Sequence, residues 1–297
     1  MDLGLKNRVA IVAAASRGLG QAVALGVARE GATVAICART ESTLTETARE
    51  IRGQTGADVL ARAVDVTNHD QVRAFVSETV KTYGRVDICV ANAGGPPSKT
   101  FAETTDEDWE AAAHLNLMST VYLARETLPL MQERRWGRFI AITSVSVKQP
   151  IERLVLSNAV RSGVTGLVKT LANEYGPYNV LVNNVCPGYT ATARLVSLSE
   201  RLAEKEGVPA QEIERRWAEQ TPLRRVGQPE EFANLVVFLA SERASYITGA
   251  SIAVDGGLVK GIYSQIPVWT LLPAFRKPAF ARNLASAILY WRRFSAS

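Results

Sequence analysis

From Ala13 the chain reads Ala13, Ala14, Ala15, Ser16, Arg17, Gly18, Leu19, Gly20, a small-residue loop between a short apolar run and a helical pattern. Backbone amides in such a loop can approach a pyrophosphate, and the N-terminus of the following helix faces its negative charge. The first glycine position of this motif holds Ala14, which serves if its φ stays negative; taken alone, the stretch reads equally well as a ligand-free turn. Other positions agree with the dinucleotide reading. The second apolar run ends in Cys37, Ala38, Arg39, with no carboxylate to hold the ribose hydroxyls of NAD, and Arg17 stands in the loop itself. Two arginines and no acid favour a 2′-phosphate, hence NADP(H) over NAD(H). A third run ends at Asp65 and Val66, suited to the edge and face of an adenine, and a fourth ends in Asn92, Ala93, Gly94, Gly95. His69 and His114 are the only two histidines, and no cluster has metal-ligand spacing, so no metal is expected.

Such loops must be held by strand ends, and the chain supplies them. Short apolar runs at 9–13, 33–38, 59–64, 86–91, 138–143, 180–185 and 251–254 alternate with segments whose apolar residues recur at three and four, such as Leu167, Leu171 and Ala172. That alternation predicts right-handed crossovers and one α/β domain over residues 1–257. It is a Rossmann-type, doubly wound parallel sheet of about seven strands with helices on both faces. The charged helical stretch 190–225 follows a strand end, where ligands sit in open parallel sheets; it reads as a substrate lid, or else as a surface excursion.

The composition, 47% hydrophobic and 21% charged over 297 residues, excludes disorder, collagen and disulfide scaffolds. Cys37, Cys89 and Cys186 lie in or beside apolar runs and read as buried thiols of a reducing compartment. With no signal-peptide pattern near Met1 and no apolar stretch of membrane-span length, a cytoplasmic location is expected. The net charge of +5 comes from residues 258–297, which carry six basic residues and no acid. The rest is nearly neutral, so no nucleic-acid partner is expected. In that C-terminal extension Phe280, Leu284, Ala287, Ile288 and Trp291 share one helical face. A basic amphipathic helix of this kind packs on a neighbouring subunit or over the substrate mouth, with an anionic membrane surface as the minority reading.

The chain resembles the short-chain dehydrogenase/reductase family, in the branch similar to 3-oxoacyl-(acyl-carrier-protein) reductases. The likeness covers roughly residues 5–257. It rests on the Gly-rich loop, Asp65, Asn92-Ala93-Gly94, Asn116, Ser144, Pro187-Gly188 and the closing run from Tyr246 through Asp255-Gly256-Gly257. The resemblance implies that Asn92 braces the central strands, Pro187 and Gly188 pass the nicotinamide, and Thr192 holds its carboxamide. It also implies a homodimer or homotetramer and a small-molecule or acyl-thioester substrate. An acidic acyl carrier would need a basic patch at the mouth, for which Arg194, Arg215, Arg216, Arg224 and Arg225 are candidates, although they read first as a solvated charged face.

The catalytic element departs from the family pattern. Of its four members, Ser144 and Asn116 are present, but the tyrosine position is Ser157 and the lysine position is Arg161. Four residues apart, they still share one helical face. An aliphatic hydroxyl is a far weaker acid than a phenol, and general acid catalysis contributes on the order of 10²- to 10⁴-fold. The chain resembles an atypical sub-branch that carries a Ser-Asn-x-x-Arg element in place of the tyrosine pattern. Lys148 and Tyr189 are further proton carriers near the reacting end, but a loop lysine reads first as solvated and a tyrosine there as packed under the lid. Three functions stay open: an NADP(H)-dependent oxidoreductase acting on a carbonyl or alcohol, a non-redox cyclase, isomerase or dehydratase, and a non-catalytic NADP(H)-binding subunit.

Overall fold

The computed structural model describes residues 1–261. Among them, seven strands and nine α-helices alternate. The first half runs β1 (Val9–Ala13), α1 (Gly18–Arg29), β2 (Thr33–Ala38), α2 (Glu41–Thr55), β3 (Val59–Ala63), α3 (His69–Tyr83), β4 (Ile88–Ala91), α4 (Asp106–Ala112) and α5 (Ser119–Glu133). The second runs β5 (Gly137–Ile142), α6 (Val155–Tyr175), β6 (Val180–Pro187), α7 (Ala193–Glu206), α8 (Ala210–Gln220), α9 (Pro229–Ala240) and β7 (Ser251–Val254). All pairings are parallel and the strand order is β3-β2-β1-β4-β5-β6-β7, the doubly wound sheet expected from the alternation.

Period-two alternation along each strand divides the core between the two faces of the sheet. Ala10, Val12, Val34 and Ile36 point to a layer shared with Val23, Val27, Phe232 and Val236 of α1 and α9. Ile11, Ala13, Ala35 and Cys37 point to the other, with Phe75 of α3, Leu128 of α5 and Val168 of α6. The three cysteines are free and buried, as their apolar settings suggested.

Register then puts the functional loops at one edge. Ala13 pairs with Cys37, Ala91 with Ala141, and Ile142 with Val185, so the carboxyl ends of the central strands finish together. The order reverses between β1 and β4, the switch point where a parallel sheet leaves a crevice. Four strands differ in their bounds from the apolar runs: β3 ends one residue earlier at Ala63, β5 is displaced by one to Gly137–Ile142, and β4 and β6 change by two residues each. The fourth strand starts at Ile88 because Asp87 is buried with its carboxylate accepting the Val9 N–H and facing Arg8 and Arg85. The sixth continues to Pro187, held by β7 through the Pro187–Val254 register.

Between α4 and α5 the helix passes through a π turn at Ala113–Met118, in which Ser119 N–H reaches back to the His114 carbonyl. One extra residue per turn rotates Asn116 inward, where it is buried, while His114 stays exposed. The stretch 190–225 forms α7 and α8, joined around Ala203, Ile213 and Trp217. Among the described residues no helix is long and apolar enough to cross a membrane. The apolar face at 280–291, with its subunit and membrane readings, lies outside the described residues.

Candidate active site

At the switch point lies a cavity of about 390 Å³ whose walls are the loops leaving β1, β2, β4, β5 and β6. Ser16, Arg17, Gly18, Leu19 and Gly20 form one end of it. Gly20 is there for closeness, since a Cβ on it would stand 2.3 Å from the Ala14 carbonyl oxygen. Ala14 does not keep the negative φ expected of it. Its φ is +49°, a left-handed conformation that disfavours any residue with a Cβ. Asn92 holds that turn, its Nδ2 donating to the carbonyls of Ala13 and Ala14 at 3.3 Å each. The bracing of central strands expected of Asn92 is therefore visible as a tie from β4 to the strained end of β1.

The adenosine end fits a 2′-phosphate. Arg17 and Arg39 both line the cavity, and neither has an ion-pair or hydrogen-bond partner among the described residues. Other exposed arginines are ion-paired, among them Arg215 with Glu212 and Glu219 and Arg225 with Glu231, whereas Arg49 and Arg125 also lack partners but do not line this cavity. Two unpartnered guanidinium groups beside the N-terminus of α1, whose Arg17 cap makes no side-chain bond, leave donors for phosphate oxygens. Asp65 and Val66 line the same end, with Asp65 Oδ1 accepting from the Thr67 amide and hydroxyl.

At the reacting end the structure brings together Ser144, Ser157 and Arg161, with Ala93, Gly94, Pro187, Gly188 and Thr192 around them. Ser144 caps the turn after β5, its Oγ accepting the Ser146 N–H at 3.1 Å. A hydroxyl whose lone pair is so engaged has its proton free to donate. Ser146 Oγ in turn lies 3.4 Å from Ser157 Oγ, so Ser146, which the sequence gave no reason to single out, touches both site serines. Thr192 caps α7 through its own hydroxyl, which fixes the start of that helix against the cavity.

Arg161 is buried and anchored on three backbone carbonyls: Nη1 donates to Ile142 and Thr143 at 3.1 Å each, and Nη2 to Gly94 at 3.0 Å. Burial, and after it the charge of Arg194, pull this guanidinium down to about 10. It is thus a fixed cation at neutral pH in a poorly solvated place. Asn116, expected beside the reacting oxygen, lies one layer behind the wall and does not line the cavity. Its Nδ2 donates to the same Gly94 carbonyl at 2.7 Å, and its Oδ1 is a buried acceptor without a partner.

Lys148 and Tyr189 take the solvated and lid-packed places that are the alternatives to a catalytic role, and Arg194 takes a place of its own. Lys148 does not line the cavity. Tyr189 does, but it is stacked on Trp217 with ring centroids 5.2 Å apart, and its hydroxyl bonds Gln220. Burial pushes its pKa up, away from the range of a neutral-pH acid. Arg194 was read as part of a surface patch; it bridges the cleft instead, donating to the carbonyls of Gly95 and Pro96 at 3.0 and 2.9 Å. No local motif announces that clamp, because its acceptors lie nearly a hundred residues away.

A family model described as Enoyl-(Acyl carrier protein) reductase matches residues 13–259. A 3-oxoacyl-(acyl-carrier-protein) reductase of Aquifex aeolicus is 35% identical over 258 residues, 87% of this chain and 100% of that protein. A short chain dehydrogenase/reductase of Aspergillus oryzae is 35% identical over 256 residues, 86% of this chain and 95% of that one. Among solved structures, L-sorbose reductase from Gluconobacter frateurii, complexed with NADPH and L-sorbose, superposes with a TM-score of 0.85. It is 36% identical, covering 88% of this chain and 100% of that one.

Proposed function

The chain belongs to the short-chain dehydrogenase/reductase family, and on that premise we propose that it is an NADP(H)-dependent oxidoreductase acting on a carbonyl or alcohol, with Ser157 and Arg161 in place of the usual acid pair. The observation that carries this reading is the pair of unpartnered arginines, Arg17 and Arg39, at one end of a cavity whose other end gathers Ser144, Ser157 and Arg161. A solved relative complexed with NADPH supports the same cofactor.

In this reading Arg17, Arg39 and the amides of Ser16 to Gly20 hold the phosphates, Asp65 and Val66 hold the adenine, and Thr192 holds the carboxamide. NADPH, when bound, supplies the hydride. Asn92, Ala93 and Gly94 form the floor beneath the nicotinamide ribose, and Pro187 and Gly188 pass its ring. The Ser144 hydroxyl donates to the substrate oxygen, with Ser157 beside it. The buried Arg161 charge stabilises negative charge building on that oxygen, an effect that grows where water is excluded. Neither serine titrates near neutrality, so the proton that completes the alcohol comes from water relayed through the hydroxyls. Residues 190–225 serve as the substrate lid, Arg194 latching it to the Gly95–Pro96 turn.

A homodimer or homotetramer in a reducing, cytoplasmic compartment completes the proposal; light scattering checks the assembly. The missing phenol favours a second reading, in which NADP(H) is bound without redox turnover by a non-redox enzyme or a binding subunit. The deciding experiment follows NADPH consumption over a panel of ketones for the natural chain and for Ser144→Ala. Turnover that falls at least about 10²-fold in the variant is expected. NADPH binding with no ketone consumed, or a substrate converted to an isomer without loss of NADPH, selects the second reading.

A further inference from the structure

Beyond the cofactor cavity lies an outer chamber of about 500 Å³, sharing Val145, Ile151, Leu154, Tyr189 and Leu198 with it. One wall is the stacked pair Tyr189 and Trp217, whose rings lie 15° from parallel. Ile213 and Leu202 of the α7–α8 unit line the same chamber. A second feature restricts what can enter. Both arginines that line the chamber are already held by carboxylates, Arg153 by Glu103 and Arg216 by Glu206 and Glu212. The remaining charged lining residues, Glu152 and Glu206, are acids. Around the mouth the cations read as a patch for an acidic carrier are engaged as well. Arg215 is paired with Glu212 and Glu219, Arg225 with Glu231, and Arg224 donates to the Glu219 carbonyl.

Among the described residues, a chamber of this size with an apolar, aromatic wall and no unpaired cation in its lining suits an uncharged ligand body. We propose that the substrate is a free, uncharged ketone or its alcohol, whose apolar ring system lies along the Tyr189–Trp217 wall while its carbonyl reaches Ser144; it is not an acyl thioester presented by an acidic carrier protein. The inference rests on the reductase reading above and narrows it. In the reduction direction the carbonyl carbon takes the hydride, its oxygen takes a proton, and NADPH leaves as NADP⁺. Asn158 holds the entrance in shape, its Nδ2 and Oδ1 meeting the Ile151 carbonyl and amide at 2.9 and 3.3 Å.

The test compares 2-tetralone, cyclohexanone, a tetralone carboxylate and an acetoacetyl group on acyl carrier protein, all with the full chain and NADPH. The ratio of kcat/KM for 2-tetralone over cyclohexanone is expected to be about 10 or more, and to fall about 10-fold in Trp217→Ala, the scale of a buried ring contact. In Glu152→Lys, which adds an unpaired cation without touching the lid core, the tetralone carboxylate is expected to gain about 10-fold. Preference for the carrier-bound substrate, or an unchanged ratio in Trp217→Ala together with no gain in Glu152→Lys, overturns the proposal. Calorimetric binding of 2-tetralone separates the two layers. Binding weakened by Trp217→Ala without any ketone turnover keeps the chamber assignment and removes the reductase reading, whereas absent binding removes the assignment.

Discussion

Arg161 and Asn116 converge on one acceptor: Nη2 of the arginine and Nδ2 of the asparagine both donate to the Gly94 carbonyl, at 3.0 and 2.7 Å. That shared oxygen ties α6 and the π turn to the end of β4, so the arginine proposed to act on the substrate oxygen also holds one wall of the cavity. A lysine carries its three N–H donors on one nitrogen and so loses the planar fork that reaches Gly94 from Nη2 while Nη1 holds Ile142 and Thr143. Arg161→Lys is therefore expected to destabilise the fold by about 1–3 kcal/mol, the cost of a buried polar group left unpaired. The urea midpoint measures it; an unchanged midpoint would mean the three bonds contribute nothing net.

The same arginine sets the pH behaviour. Burial, then the charge of Arg194, holds the Arg161 pKa at about 10, well below its ordinary value. The group is a base, so it is charged below that pH and loses its charge as pH rises through it. Ketone reduction is expected to be level across neutrality and to fall above about pH 10. Removing the neighbouring charge in Arg194→Gln moves the fall to higher pH. A profile that instead breaks near neutrality in both proteins assigns the proton to another group.

The proposed function makes cofactor choice depend on Arg17 and Arg39. Replacing both with serine removes two charge-assisted contacts to a 2′-phosphate, each of about 1.5–3 kcal/mol, and is expected to weaken NADPH binding at least about 10²-fold. NADH, which lacks that phosphate, is expected to change little. Fluorescence titration of both nucleotides distinguishes this from a general loss of phosphate binding, in which the two would weaken equally.

Ser157→Tyr places a phenol beside the Arg161 cation, which favours the phenolate and so lowers its pKa from about 10 toward neutrality. The variant is expected to reduce ketones about 10²-fold faster or more, within the usual range for a positioned general acid. An unchanged rate would show that proton delivery does not limit the natural protein.

Ala14→Gly relieves a left-handed alanine worth about 1–2 kcal/mol while adding about 0.5–1 kcal/mol of chain entropy. A net gain of about 0.5–1 kcal/mol in the urea midpoint is expected. A loss would mean that the Asn92 bonds, and not the residue type, set the φ of that turn.

The succession of strands and helices and the single doubly wound sheet were legible in the residues, because each depends on short-range chemistry. Continuous apolar runs mark strands buried on both faces, and glycines at 18 and 20 with arginines at 17 and 39 stand in loops whose position follows from the strand ends. On the family resemblance, Ser157 and Arg161 stand in the sequence where the acid pair is expected. What the sequence did not show depends on contacts between distant segments. Ala14 is forced to positive φ by the close approach of Gly20 and by Asn92, more than seventy residues on. Asn116 turns behind the cavity wall because a π turn, invisible to 3.6-residue periodicity, inserts one residue. The arginines of α8 looked like a basic patch because a sequence lists charges without their partners. Only folding, which brings Glu206 beside Arg216 and aims Arg194 across the cleft at Gly95, decided which of those charges are neutralised and which line the site.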